Sequence, residues 1–213
     1  MNNGYIEVLN SIGSSAPTPG GGTVGALTLG HAHALSVMVA RLTVKSEKWA
    51  DGHSIANEII SDSEDNISKC ITLGINDSKA FDDVMEAYRL PNDKEGANLK
   101  SKAITNATID AANAPLNIME ASLELLHTLA KQVESCNSNA LTDLASAAEL
   151  ALSACKIAQF NVRINLDSLS KEDTGSLKNT AERFLSESIE AKIRVDTECR
   201  KRLRSEEHTS ELQ

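Results

Sequence analysis

The sequence has few aromatic residues. Three Phe, two Tyr and one Trp stand among 213 residues, although hydrophobic residues make up 41% of the chain. The core must therefore be filled mainly by Ala, Val, Leu and Ile, which suits closely packed helices. The chain also lacks sustained alternation of apolar and polar residues, the period of half-buried strands. These two absences predict an all-α protein, and the absence of a linker-like stretch predicts a single domain.

Basic residues are outnumbered by acidic ones. The chain has 21 Lys and Arg against 30 Asp and Glu, for a net charge of −9. This balance argues against broad electrostatic binding to nucleic acid or to an anionic membrane, and we expect neither as a partner. Residues 24–42 are apolar enough to resemble a membrane span, but His31, His33 and Ser36 interrupt them. A core helix of a soluble bundle is the simpler interpretation.

The chain shows no metal-binding or disulfide pattern. Its cysteines are far apart and form no CxxC pair, so we expect reduced thiols in a cytoplasmic protein; they are Cys70, Cys136, Cys155 and Cys199. The first ten residues do not resemble an export signal. His31 and His33 are two residues apart, which on a helix turns them about 200° from each other. We therefore predict core or interface histidines and no metal.

Helical periodicity extends over most of the sequence and predicts a bundle of six to eight helices. Thr23 is predicted to cap the second helix and Asp77 to cap a short one that Pro91 closes. Pro115 is predicted to kink its helix or to split it in two. The predicted helices cover residues 5–11, 23–45, 51–73, 77–90, 93–133, 139–166 and 171–203.

We hypothesise that the last ten residues, RSEEHTSELQ, come from a sequencing adapter and not from the gene. They back-translate codon for codon into AGATCGGAAGAGCACACGTCTGAACTCCAG, a common short-read sequencing adapter. We therefore expect residues 204–213 not to be native and exclude them from fold reasoning. The predicted helical domain is residues 1–203.

Three consecutive glycines, Gly20, Gly21 and Gly22, precede the most apolar helix in the stretch PTPGGGT. The unpaired N–H groups and the dipole of a helix start attract anions, and glycine lets an anion approach the backbone. The stretch indicates either a carboxylate or phosphate site or only a flexible helix entry. A nucleotide P-loop is excluded because no Lys-Ser/Thr pair follows.

The same helix is predicted to end at LTVKSEKW, where Lys45 and Lys48 lie beside Trp49. Cations commonly follow a helix C-terminus, so a solvated helix end is one interpretation. An aromatic ring beside two lysines is also suited to a flat anionic ligand. Both interpretations remain open from this stretch alone.

Polar residues also mark two later segments. Asn137 belongs to a polar helix entry, and Asp143 falls about one turn inside that helix, where burial without a partner would be costly. Asn161 and Asn165 are spaced four apart and share one helix face. Buried carboxamides need partners, either backbone groups or a heterocyclic ligand. Together with Asp77 these residues predict a polar cleft for a flat anionic molecule.

Six blocks give the sequence a specific resemblance: PTPGGGTVGAL, MVARLT, DSKAFDDVMEAYRLP, NAPLNIME, NSNALTDLASAA and NVRINL. In this order and spacing they resemble the cyclodeaminase/cyclohydrolase family of folate enzymes. That family includes the cyclodeaminase half of formiminotransferase-cyclodeaminase and stand-alone methenyltetrahydrofolate cyclohydrolases. The resemblance covers residues 17–166. It implies an all-helical subunit that forms homodimers, with a folate cleft near helix ends and the subunit contact.

The resemblance also implies an activity and a set of site residues. The expected enzyme is a formimidoyltetrahydrofolate cyclodeaminase or a methenyltetrahydrofolate cyclohydrolase, with the tetrahydrofolate derivative as substrate and no separate cofactor. The alternative is an inactive folate-binding protein or a structural dimer, because Lys45 and Cys136 replace residues usual in the family. The hypothesis gives catalytic roles to Asp77 and Asp143, the pterin edge to Asn137, Asn161 and Asn165, and the glutamate tail to Gly20, Gly21 and Gly22 with Lys45 or Lys48.

Overall fold

The structure is a computed structural model that describes residues 3–91, 97–169 and 171–210. Over these ranges the chain forms seven α-helices and no strand, which confirms the all-α class. Two short 3₁₀ helices, Glu47–Gly52 and Ser138–Ala140, precede α3 and α6. The helices are α1 (Asn3–Ile12), α2 (Gly21–Thr43), α3 (His53–Ser61), α4 (Ser63–Arg89), α5 (Ala97–Gln132), α6 (Leu141–Leu166) and α7 (Lys171–Ser210).

Helix α2 lies at the centre of the bundle and packs against α3, α4, α5 and α6. Its inner residues are small or aliphatic, and Ala26 and Leu29 are fully buried. A Cβ added to Gly25 would lie 3.2 Å from Cγ2 of Ile157 on α6. The helices therefore approach closely because glycine and alanine leave them room.

A buried polar pair joins α2 to α5. The Ser36 hydroxyl donates to Oε1 of Gln132 at 2.8 Å, and Nε2 of Gln132 donates to the Ser36 carbonyl oxygen at 2.9 Å. Both residues are 1% exposed. These reciprocal bonds satisfy groups that would otherwise be costly to bury.

The predicted break near Gly74 is wrong. Helix α3 ends at Ser61, and α4 then runs without interruption from Ser63 through Gly74 to Arg89. Gly74 stays helical because it packs against α2, where an added Cβ would lie 3.3 Å from Cγ2 of Thr23. Close packing thus compensates for the low helix propensity of glycine, which is about 1 kcal/mol below that of alanine.

Two predicted caps are also wrong. Asp77 lies inside α4 and caps no helix. Helix α2 begins at Gly21, with Gly20 as its N-cap residue, so Thr23 lies within the first turn. Both polar side chains are therefore available for contacts between helices.

Helix α5 continues through Pro115, so of the two outcomes predicted for this proline, a kink or a split, the split does not occur. Proline has no N–H, and the carbonyl of Ala111, four residues earlier, loses its helical donor. Nδ2 of Asn165 on α6 donates to that carbonyl oxygen at 2.6 Å. A side chain from a neighbouring helix thus replaces the missing backbone bond.

Among the residues described, α2 is the one helix long and apolar enough to cross a membrane by length and composition. Its packing against four helices is what the core helix of a bundle requires. The last helix, α7, is more polar, and it continues into the segment from residue 204. The non-native origin of that segment stays a prediction.

Candidate functional site

The start of α2 holds a carboxyl group from α4. A Cβ placed on Gly22 would overlap the Asp77 carboxyl, so only glycine permits this approach. Gly20 has an extended backbone with φ −111° and ψ −158°, and no side chain caps the helix. The first N–H groups of α2 therefore point toward a carboxylate in the manner typical of anion sites at helix starts. We call this region the glycine end; it comprises Gly20, Gly21, Gly22, Thr23, Asp77 and Asn161.

Burial and Thr23 shift the pKa of Asp77 in opposite directions, and burial has the larger effect. Burial raises the pKa of the Asp77 carboxyl, and hydrogen bonds from the N–H and hydroxyl of Thr23 partly oppose that rise. The hydroxyl also donates to the Gly74 carbonyl oxygen at 3.1 Å and lies 2.8 Å from the Ser78 hydroxyl. Because a hydroxyl has one proton, the backbone N–H of Thr23 is the constant donor to the carboxyl.

Two asparagines of α6 lie near the same region. Asn161 is beside Gly21, whose added Cβ would be 3.7 Å from Nδ2 of Asn161, and that nitrogen donates to the Ile157 carbonyl oxygen at 2.9 Å. Asn165 lies one turn further and uses one N–H on Ala111. Within the described residues each amide keeps its oxygen and a second N–H for other partners.

A cavity of about 500 Å³ opens between α1, α2 and α4 beside the glycine end. This volume is within the range of small-molecule sites. Ile71 and Ile75 form part of its apolar wall, while Thr23, Lys79 and Asp82 supply polar groups. Lys79 was not predicted as a site residue, and its position two residues after Asp77 gave no signal, because residues with that spacing point about 200° apart on a helix.

The other end of α2 carries the predicted cations. Lys45 and Lys48 follow the helix and are exposed. Nζ of Lys48 lies 4.5 Å from the centroid of the Trp49 ring, and the Arg202 guanidinium lies 5.8 Å from the same centroid. We call this region the lysine end; it comprises Lys45, Lys48, Trp49, Asn137, Asp143 and Arg202.

Asn137 connects the segments of the lysine end by hydrogen bonds. Its N–H donates to the Thr43 hydroxyl at 3.0 Å, its side-chain nitrogen donates to the Leu42 carbonyl oxygen at 3.3 Å, and its side-chain oxygen accepts from the Asn139 N–H. These bonds give Asn137 a structural role, and its contact with a pterin stays a prediction. Asp143 is half-buried in the first turn of α6 at the same end.

The predicted site residues therefore form two groups. Asp77, Asn161, Asn165 and the three glycines come together, while Lys45, Lys48, Asn137 and Asp143 lie at the opposite end of α2. Because α2 has 23 residues, the two groups are about 35 Å apart at 1.5 Å per residue. Within one chain the glycines and the lysines do not meet, and their shared role in binding one glutamate tail stays a prediction.

Comparison with known proteins shows the family of the chain. The sequence model described as formiminotransferase-cyclodeaminase matches residues 5–184 of the chain. The chain belongs to the formiminotransferase-cyclodeaminase family. This confirms the family resemblance of the motif blocks.

Relatives of both named activities occur within the formiminotransferase-cyclodeaminase family. The methenyltetrahydrofolate cyclohydrolase of Methylorubrum extorquens is 30% identical over 162 residues, which span 76% of this chain and 78% of that protein. The formimidoyltransferase-cyclodeaminase of Mus musculus is 28% identical over 171 residues, but these span only 32% of the mouse protein. The crystal structure of formiminotetrahydrofolate cyclodeaminase from Thermotoga maritima superposes with a TM-score of 0.83 and 28% identity, covering 92% of this chain and 94% of that one.

The other reactive residues of this family member are His33 and the cysteines, of which Cys136 adjoins the lysine end, where Arg202 lies 3.4 Å from its Sγ. Burial, together with Lys69, lowers the pKa of His33 to about 4 against the opposing effect of Glu124, so the imidazole is neutral near pH 7. All four cysteines are free and buried, and burial raises the pKa of Cys70 and Cys199 to about 11. Such thiols are poor nucleophiles. In the described part of the chain no three His, Cys, Asp or Glu side chains group as metal ligands, and the absence of a metal stays a prediction.

Proposed function

We propose that this chain is a cytoplasmic, homodimeric folate enzyme that forms or hydrolyses 5,10-methenyltetrahydrofolate. The observation that carries the proposal is the half-buried Asp77 carboxyl, held against the start of α2. Thr23, which bonds to that carboxyl, also lines an open cavity. The names of the relatives, cyclohydrolase and cyclodeaminase, supply the two reactions. Both reactions act on the same carbon of a one-carbon tetrahydrofolate.

The two reactions place similar demands on the site. In cyclodeamination the 10-nitrogen attacks the formimino carbon attached to the 5-nitrogen, and the carbon–nitrogen bond to the departing ammonia breaks. In cyclohydrolysis water adds to the cationic methenyl carbon, and one ring carbon–nitrogen bond then opens. Each path passes through a tetrahedral centre and needs a group to take and return a proton. A carboxylate near that centre also stabilises positive charge.

Asp77 fits these demands better than an exposed carboxylate. Burial raises its pKa toward the range in which a group both accepts and donates protons. In our proposal Asp77 transfers the proton at the reacting nitrogens. Asp143 lies at the other end of α2, so its proposed role in charge stabilisation requires that it come from the second subunit of the homodimer. Thr23 holds Asp77 in place through its N–H.

Recognition of the rest of the substrate follows from the neighbouring groups. The remaining N–H and oxygen of Asn161 and Asn165 suit the donor and acceptor edge of a pterin. The N–H groups of Gly21 and Gly22 at the start of α2 suit a carboxylate of the glutamate tail. The apolar wall of the cavity, which includes Ile71 and Ile75, suits the aromatic ring between them.

The test is to incubate the purified protein with 5,10-methenyltetrahydrofolate and, separately, with 5-formiminotetrahydrofolate. Loss of methenyl absorbance identifies a cyclohydrolase. Appearance of that absorbance together with released ammonia identifies a cyclodeaminase. If neither substrate changes while a folate still binds, the proposal fails and the alternative of an inactive folate-binding protein replaces it.

Replacement of Asp77 tests its catalytic role. Asp77→Asn keeps the shape of the side chain but removes its ability to exchange a proton, so we expect kcat to fall by about 10²- to 10⁴-fold. Asp65→Asn, on an exposed residue of the same helix 12 positions away, is the matched control. Circular dichroism checks that both variants fold. An Asp77→Asn enzyme with unchanged kcat would remove Asp77 from the mechanism.

A further inference from the structure

Arg202 on α7 reaches the turn that follows α5. Its Nη1 donates to the Val133 carbonyl oxygen and its Nη2 donates to the Cys136 carbonyl oxygen, each at 2.7 Å. The Arg202 side chain is half-buried, and Val133 and Cys136 are 1% and 2% exposed. One guanidinium group therefore bonds to two carbonyl groups of a buried turn.

These two carbonyl groups need a donor from a side chain. Helix α5 ends at Gln132, and the last carbonyl groups of a helix have no donor within the helix. Among the described residues no backbone N–H bonds to the oxygen of Val133 or of Cys136. A guanidinium is a planar fork that serves two acceptors together, and its positive charge suits the negative end of the helix dipole. Arginine is thus better suited than lysine to this position.

The same turn is held by two other elements. At Asn137 it is bonded to the last residues of α2. At Ser135 its carbonyl group lies against Gly52, where no Cβ has room, in the 3₁₀ helix Glu47–Gly52. Arg202 provides the attachment from α7. The turn is therefore fixed by three separate parts of the chain, and the bonds from Arg202 are the ones that a substitution on an outer helix can remove.

Arg202 also lies near the ring of Trp49. The guanidinium carbon is 5.8 Å from the ring centroid, and Nζ of Lys48 is 4.5 Å from the same centroid. Cations within about 6 Å of an aromatic face are attracted to it. The guanidinium thus contacts both the turn that leads to Asn137 and the aromatic residue beside the lysines.

We propose that Arg202 is a positioning residue of the lysine end, which holds the turn before Asn137 and the Trp49 ring in the arrangement that binds substrate. Arg202 acts through these residues and does not itself touch the ligand. The inference rests on the proposed function for the identity of the ligand, but not for the order that Arg202 imposes on the turn. Arg202 lies beyond residue 184, where the family match ends, so the motif blocks did not indicate it.

The substitution Arg202→Lys separates position from charge. Lysine keeps the positive charge but lacks the fork that serves both carbonyl groups. We expect KM for the folate that the wild type converts to rise by about 10-fold, the factor that corresponds to one lost charge-assisted hydrogen bond. We expect kcat to stay near that of wild type, because Asp77 lies at the opposite end of α2 and the lost binding is the same in the ground state and the transition state.

Arg200→Lys is the matched control. Arg200 is exposed on the same helix, and its Nε donates to the Asp196 carbonyl oxygen of that helix at 3.2 Å. We expect this variant to have the KM of wild type. Circular dichroism checks the folding of both variants, and Arg202→Gln replaces Arg202→Lys if the lysine variant does not fold.

The kinetic outcomes distinguish positioning from a purely structural role. A rise of KM in the Arg202 variant alone supports the proposal. A purely structural role would lower the amount of folded enzyme, which decreases the apparent kcat and leaves KM unchanged. That result overturns the proposal, as does an unchanged KM or an equal rise of KM in Arg200→Lys.

Hydrogen exchange tests the same proposal without a ligand. The Cys136 N–H donates to the Gln132 carbonyl oxygen at 3.1 Å, and the Asn137 N–H donates to the Thr43 hydroxyl. In Arg202→Lys these amides should exchange faster than in wild type, while the amides of residues 21–30 at the other end of α2 should not change. Equal exchange of residues 133–141 in the two proteins overturns the proposal. If the wild type converts neither folate, the proposed function fails, and hydrogen exchange still decides whether Arg202 orders the turn.

Discussion

The two ends of α2 have similar polar residues but use them in different ways. At the glycine end, a half-buried carboxyl from α4 faces the helix start, and Thr23 of the same region lines an open cavity. At the lysine end, polar side chains bond the chain to itself: Arg202 donates to the carbonyl oxygens of Val133 and Cys136, each at 2.7 Å, just beyond the end of α5. The first arrangement leaves polar groups for a ligand, while the second satisfies backbone groups of the fold.

Each end also contains one glycine that has no room for a Cβ. At Gly22 the obstacle is the Asp77 side chain, and at Gly52 it is the backbone carbonyl of Ser135. A side chain can be shortened by mutation, but a backbone carbonyl cannot. The restriction at Gly22 therefore belongs to the candidate site, whereas the restriction at Gly52 belongs to the packing of the fold.

Alanine at these two glycines should give the largest effects. Overpacking typically destabilises by about 1–3 kcal/mol, and we expect Gly52→Ala at the top of that range and Gly22→Ala near its middle. Urea unfolding measures both. Gly30→Ala is the control, because its Cβ would meet Cys70 at an ordinary 3.5 Å and the helix should gain up to about 1 kcal/mol.

A second substitution separates the two cases. Adding Asp77→Ala to Gly22→Ala removes the obstacle, so the double variant should recover most of the lost stability. No single side-chain deletion should rescue Gly52→Ala in the same way. If Asp77→Ala fails to rescue Gly22→Ala, the carboxyl does not lie where the glycine end requires it.

A smaller effect is expected from the bond between α6 and α5. Asn165→Ala leaves the Ala111 carbonyl without a donor, which should destabilise the protein by about 1–2 kcal/mol. Pro115→Ala restores the backbone N–H that Pro115 lacks. In that background Asn165→Ala should be much less destabilising, as a double-mutant cycle by urea unfolding would show. Equal losses in both backgrounds would contradict a bond that compensates for the proline.

The sequence predicted the helical class and most of α2 and α6, because long apolar periodic segments depend mainly on local pattern. It failed at Gly74, where glycine is a common helix end, because the compensating contact with Thr23 comes from a residue 51 positions away. The bond from Asn165 to the Ala111 carbonyl could not be predicted for the same reason. That carbonyl lacks a donor only because of Pro115, which is far from Asn165 in the sequence. Contacts between helices decide both cases.

The candidate site was predictable in its residue types but not in its grouping. The motif blocks indicated Asp77, the glycines and Asn161 because each is polar or small in an apolar setting. Their convergence depends on the antiparallel packing of α2 with α4 and α6, which no local pattern contains. Lys45 and the glycines were assigned to one cleft because the order of residues in the sequence does not show where the two ends of the helix between them lie in space.

The smallest expected effect is the pH dependence of the carboxyl at the glycine end. Burial raises the pKa of Asp77 in the folded protein, so the folded state holds this proton more tightly than the unfolded chain. The resulting stabilisation is fully present below the unfolded pKa and is lost as pH rises through the raised folded pKa. Asp77→Asn does not titrate at this position. Its free energy of unfolding relative to wild type should therefore increase with pH across that window and then level off.

Thr23 provides the matched variant for this measurement. Its hydroxyl lowers the pKa of Asp77, so Thr23→Val should raise that pKa further and move the loss of stability to higher pH. Urea unfolding of wild type, Thr23→Val and Asp77→Asn between about pH 3.5 and pH 7.5 measures the three curves. Parallel curves for wild type and Asp77→Asn would mean that the carboxyl is as solvated as an exposed one. In that case the glycine end would not provide the buried proton donor that distinguishes it from the lysine end.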